Sequence, residues 1–219
     1  MKFNTILEID LKKLYDNASI LAKSYSDYEY IFANLKDNAY GMGLKIVNTL
    51  ASAGVNYCLV GPIQDAILVR RINPDIKILV NYYVDIDNVY DAINNNIALT
   101  VPSLDYLKKI NELKLKDDLV LHILIDNSSN KMGISSKSEL DEAINIIDNN
   151  EHLILEGMYS DLTSIGIEDE FYYHQVNQFY SLISEYLHRN LIIHLNEPLM
   201  YHKKIDYIIC VSDDNKVNL

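Results

Sequence analysis

The feature that most constrains the fold is an alternation. Short apolar runs rich in β-branched residues take turns with stretches whose apolar residues recur at helical spacing. The runs are Tyr30 to Leu35, Tyr57 to Val60, Ile76 to Val80, Ala98 to Val101, Leu119 to Ile125, Leu153 to Met158, Leu191 to His194 and Ile205 to Val211. Most show no polar alternation, which predicts strands buried on both faces, as in a parallel sheet. The helices predicted between them cover Leu44 to Ala53, Ile63 to Arg71, Ile86 to Asn94, Leu104 to Leu113, Ser138 to Ile147 and Glu170 to His188. Ahead of the series stand an edge-like strand, Ile6 to Ile9, and a helix N-capped by Asp10. Eight strand units with helices between all but the last pair predict an α/β fold, a single (β/α)8 TIM-type barrel. A doubly wound open sheet is the alternative, weakened by the lack of a glycine-rich GxGxxG turn after the first strand. The expected barrel occupies residues 1–212, and Asp213 to Leu219 is a polar tail. In a barrel the strand C-termini form the active face. Those positions are Lys36, Gly61, Asn81–Tyr82, Pro102, Asp126, Ser160–Asp161, Asn196–Glu197 and Ser212.

Composition narrows the partners. A formal charge of -12 argues against nucleic acid and anionic membrane. The two cysteines, Cys58 and Cys210, lie in apolar runs and read as reduced core residues. The start carries no apolar signal region, and no run reaches membrane-spanning length, so a cytoplasmic location is expected.

Among the strand-end residues Lys36 carries the most chemistry. It closes an apolar run and precedes a turn, in Ile31 to Gly43, IFANLKDNAYGMG. Burial of an amine favours its neutral, nucleophilic form, which is what Schiff-base chemistry needs. From spacing alone, a lysine reaching to solvent along its own stem is the commoner outcome. The neighbouring letters favour the chemical reading. K-D-N-A-Y-G-M-G resembles the K-A-D-A-Y-G-H-G motif of the alanine racemase family. Further fragments follow in the family's order: LEIDLKKLYDN with Asp10, Leu11 and Asn17; VGPIQDAILVR with Ala66 and Arg70; LHILIDNSSNKMGI; LEGMYSDLTS, then QVNQF; and HLNEPLM.

The resemblance implies a pyridoxal phosphate (PLP)-binding barrel and, by family, an isomerase acting on a small amino acid. It implies that Lys36 is the Schiff-base lysine and that Tyr40 binds the cofactor phosphate. Lys131 stands where the family has an arginine near the ring hydroxyl, keeping the charge without the planar fork. Asn196 matches a family asparagine if one residue is gapped after His194. Glu197 then replaces a phosphate-binding serine; without the gap, Glu197 replaces the asparagine and Pro198 the serine. Asp161 replaces a histidine beside the ring, Ile209 an arginine under the pyridine nitrogen, and Val211 a phosphate-cradling glycine. The cofactor site is therefore expected to be partly eroded.

The family continues into a β-rich second domain that supplies a tyrosine for the opposite face of the substrate, and no counterpart to it is expected within these 219 residues. Racemisation needs a base on each face, so turnover by this chain alone is not expected. A homodimer or a separate β-domain chain are the expected protein partners. The alternative is a degenerate, non-catalytic barrel that binds a partner. No metal site is expected: His194, Glu197 and His202 lack a recognised ligand spacing. Asp126 and His194 read as structural residues at strand ends.

Overall fold

The computed structural model describes residues 7–127, 132–163, 170–196, 210–211 and 217–218. By internal contacts the chain forms two compact units, Met1–Leu79 with Asp206–Leu219, and Val80–Ile205.

The first unit opens with helix α1 (Leu11–Ser24), whose N-cap Asp10 accepts from the backbone amides of Lys12 and Lys13. The preceding Leu7 to Ile9 form no strand, unlike the edge strand expected there. Strands β1 (Phe32–Asn34) and β2 (Tyr57–Val60) pair in parallel, Phe32 opposite Tyr57 and Asn34 opposite Leu59. Between them lie the turn α2 (Lys36–Tyr40), a short 3-10 segment and helix α3 (Val47–Ser52). Helix α4 (Ile63–Ile72) leads to β3 (Lys77–Val80). Every residue of β2 is buried, as a strand covered on both faces must be. Phe32 stacks on Tyr57 at 4.3 Å between ring centroids. Cys58 is fully buried, and burial pushes its thiol up to about 12, which keeps it protonated and inert. Arg70, one of the family-like residues, donates to the carbonyls of Asn73, Pro74 and Ile76 and so shapes the turn into β3.

In the second unit the strands follow chain order: β4 (Ala98–Val101), β5 (Leu119–Leu124), β6 (Leu153–Asp161) and β7 (Ile192–Asn196), all parallel. Helices α5 (Val89–Asn94), α6 (Leu104–Asn111), α7 (Lys137–Asp148) and α8 (Glu170–Ile183) alternate with them. Ser103 and Ser136 cap α6 and α7 by accepting from the amides of Tyr106 and Glu139. The end of α8 is tied to α7: Arg189 grips Asp148 with two bonds of 2.8 and 2.7 Å, and Lys137, Asp141 and Tyr186 bond one another.

The last expected strand differs in its described part. Residues 205–209 lie outside the described residues, and β8 (Cys210–Val211) pairs antiparallel with β9 (Val217–Asn218). Part of the expected polar tail is thus a strand.

Candidate active site

The candidate cluster of the first unit grows out of β1. Lys36 lies two residues beyond the end of the strand, after the buried Leu35, and is half-buried. Beyond it the backbone takes a left-handed turn: Asp37, Asn38, Ala39 and Tyr40 all have φ between 52° and 55°. Each such residue costs about 1–2 kcal/mol relative to the right-handed form, and strain of this kind persists only where surrounding bonds hold it. Those bonds are present. The Ala39 amide donates to Leu35, Gly41 to Asp37 and Gly43 to Asn38. The Asn38 side chain accepts from the Leu44 amide at 3.2 Å. Ala39 is fully buried and anchors the turn.

Asn34, the last residue of β1, was not singled out from sequence. Its side-chain oxygen accepts from the Lys36 backbone amide at 3.1 Å, and its nitrogen donates to the Tyr40 hydroxyl at 3.0 Å. One asparagine therefore ties together the two motif residues. The signal that could have found it is its position: a polar residue ending an apolar strand two residues before the lysine. Tyr40 is 63% exposed, so its ring is open to a ligand from solvent.

The second unit carries its own strand-end cluster. Asp126 is buried just beyond β5, and its amide donates to the Ile134 carbonyl at 3.0 Å. Asn127 donates to the Asp161 carbonyl at 2.9 Å and accepts from Gln175 at 2.9 Å. Gln175 also donates to the Thr163 hydroxyl and accepts from the Thr163 amide. Gln175 and Phe179 are both fully buried, which explains why the QVNQF fragment carries those two residues. Gly133, at φ 125°, lies where a Cβ would come within 2.5 Å of the Asp126 nitrogen. That close approach packs Gly133 against the backbone just beyond β5 and leaves no room for a side chain.

Lys131 itself lies outside the described residues, as do Glu197, Pro198 and Ile209. Asn196 closes β7 opposite Asp161. Lys36 and Tyr40 are thus brought together, and Lys131 is not described beside them. Among the described residues no group of three His, Cys, Asp or Glu side chains could hold a metal ion.

Sequence reasoning missed a buried polar chain below these strand ends. His122 is fully buried, with Nε2 at 2.9 Å from Glu156 and Nδ1 at 3.1 Å from Nε2 of His194. His194 stacks on Tyr159 at 4.7 Å, and the Tyr159 hydroxyl pairs with Thr100 at 3.0 Å. Burial pushes the Tyr159 phenol well above its ordinary value. His194 thus belongs to a buried polar chain across β5, β6 and β7.

Parallel strands alternating with helices, with a lysine beyond the first strand of one unit and polar side chains at the strand C-termini of the other, define an α/β protein with strand-end clusters. Residues 9–197 match the family model described as "Alanine racemase, N-terminal domain", and the chain belongs to that family. An alanine racemase of Staphylococcus carnosus is 32% identical over 160 residues, 71% of this chain and 41% of that protein. A lysine racemase of Oenococcus oeni is 28% identical over 186 residues, 83% of this chain and 50% of that protein. The crystal structure of an alanine racemase from Bacillus anthracis with bound L-Ala-P superposes with a TM-score of 0.80 at 24% identity, covering 89% of this chain and 52% of that one. The fold is accordingly the TIM-type barrel of that domain. The chain spans about half the length of the curated relatives it matches.

Proposed function

We propose that this chain is a PLP-binding barrel of the amino-acid racemase type, with Lys36 as the residue that holds the cofactor. The observation that carries the reading is the Asn34 clamp, which fixes the backbone of Lys36 and the hydroxyl of Tyr40 through one side chain. The donor set fits the group: a half-buried primary amine for an aldehyde, and an exposed phenol on a rigid turn for a phosphate. Lys131 and Asn196 would add the remaining polar contacts. When bound, PLP supplies an electron sink for charge developing at the α-carbon of an amino acid. Lys36 would hold the cofactor and take or return a proton on one face of that carbon. Tyr40 would hold the phosphate. Inversion needs a second base on the opposite face, and no described residue is placed by motif for that role. The complete reaction therefore calls for a second contributor, a β-domain chain or a second copy.

The substrate class is a free amino acid. The relatives include racemases named for alanine and for lysine, so the family leaves the side chain open. A cytoplasmic setting belongs to the same proposal; among the described residues no helix is long and apolar enough to cross a membrane.

The test is a PLP titration of the purified protein followed by visible absorbance. We expect a saturable band that Lys36→Ala abolishes. No band, or the same band in Lys36→Ala, would overturn the reading and favour a barrel that has shed its cofactor, for which the exchange of serine for Glu197 or Pro198 is the sequence argument.

A further inference from the structure

The buried chain Glu156–His122–His194 is built by an irregularity in β6. Across β5 and β6, Leu121 pairs with Leu155 but His122 pairs with Gly157, so the ladder steps over Glu156. A bulge of this kind re-aims a side chain, and here it brings the Glu156 carboxylate to the His122 ring. The next residue has to be glycine. A Cβ on Gly157 would lie 2.5 Å from His122 Nδ1 and 2.6 Å from the Ile192 carbonyl oxygen. The bulge, the glycine and the ring form one construction. It rises along the strands: His122 is level with Gly157, and His194 is level with Tyr159, two residues below the pair Asp161 and Asn196 at the strand ends.

We propose that Glu156, His122 and His194 share one titratable proton, and that its arrival reverses the hydrogen-bonding sense of His194 at the strand-end face of β7. Two states use the same heavy-atom positions. In the first, Glu156 accepts from His122 Nε2–H, His122 Nδ1 accepts from His194 Nε2–H, and His194 Nδ1 carries a lone pair. In the second, a proton from solvent binds His194 Nδ1 while the Nε2 proton of His194 passes to His122 Nδ1. His122 is then an imidazolium that donates to Glu156 on one side and to His194 Nε2 on the other. One proton is gained, and both hydrogen bonds survive. The fully buried His122 is reached through His194, which is half-buried. The carboxylate favours the charged state, and a second proton is disfavoured because it would set two cations 3.1 Å apart. The pair therefore titrates as a unit. In the protonated state His194 Nδ1 is a donor, while the positive charge sits on His122 beside the Glu156 carboxylate, two residues below the level of His194.

The other groups on the strands involved are the Tyr159 phenol, neutral because of burial, with its partner Thr100; the carboxylates of Asp161 and Asp126 at the strand ends; and His152 with Asp118 and Glu151 at the opposite ends of β5 and β6. None lies between the two rings.

The relay does not depend on PLP binding, so the experiment uses the full chain without cofactor. Long-range proton–nitrogen spectra of the imidazoles are recorded from pH 5 to 9, with His174 and His188 as internal references. We expect His122 and His194 to move in one common step, with protonation visible at His194 Nδ1. Glu156→Gln lowers the midpoint by about one pH unit or more. His122→Gln disconnects His194 from the carboxylate and lowers its midpoint. Separate steps for the two rings in the wild type, or no step in this range, would overturn the proposal. A midpoint unmoved in whichever variant folds would do the same.

Discussion

At the scale of single residues, two contacts hold most of the testable content. Asn34 bonds both motif residues, and a neutral hydrogen bond contributes about 1 kcal/mol. Asn34→Ala is expected to weaken PLP binding about fivefold while leaving the visible band intact, because Lys36 itself is untouched; a titration beside that of Lys36→Ala checks this. Gly157 is a packing requirement. Gly157→Ala forces a methyl group against the His122 ring and the Ile192 carbonyl, and overpacking of this kind costs about 1–3 kcal/mol. A lowered urea midpoint with unchanged slope is the expected result. Neither contact was legible in the sequence. Asn34 reads there as an ordinary strand end, and Gly157 belongs to a fragment that signals the family without signalling the neighbour it makes room for.

At the scale of elements, caps and clamps set where each helix begins and stops. Ser136 caps α7 by accepting from the Glu139 amide, and Glu139 reaches back to the Ser135 amide. Ser136→Ala is expected to destabilise the chain by about 1 kcal/mol in thermal or chemical unfolding. The clamp between α7 and the end of α8 depends on pH. Arg189 holds the Asp148 carboxyl below its usual value of 3.8. A lowered folded-state value means stability that is present above pH 3.8 and lost as pH falls through the lower, folded value. The Asp148 side chain is 46% exposed, so solvent screens the pair, and Arg189→Ala is expected to cost under about 1 kcal/mol near neutrality. The difference from wild type should vanish in acid below that window, as melts at several pH values would show. The helices and strands of both units were largely legible from periodicity; β2 and β4 match their expected spans. The left-handed turn at α2 was legible only as a break, because a run of positive φ through Ala39 and Tyr40 has no propensity signature.

At the scale of the molecule, charge is the property that composition controls. With a formal charge of -12, self-repulsion opposes the compact state, and salt screens it. Raising ionic strength from about 10 mM to about 150 mM should raise the melting temperature; a fall would show that ion pairs such as Arg189–Asp148 dominate instead. The order of strands and helices, the burial of the strands and the place of Lys36 at a strand end were determined by the sequence alone, because each follows from local apolar periodicity and from which residues punctuate it. The bulge at Glu156 and the pairing of His122 with His194 were decided only by tertiary structure. They join residues as far as 72 positions apart, and contacts across strands depend on a register that no local pattern encodes.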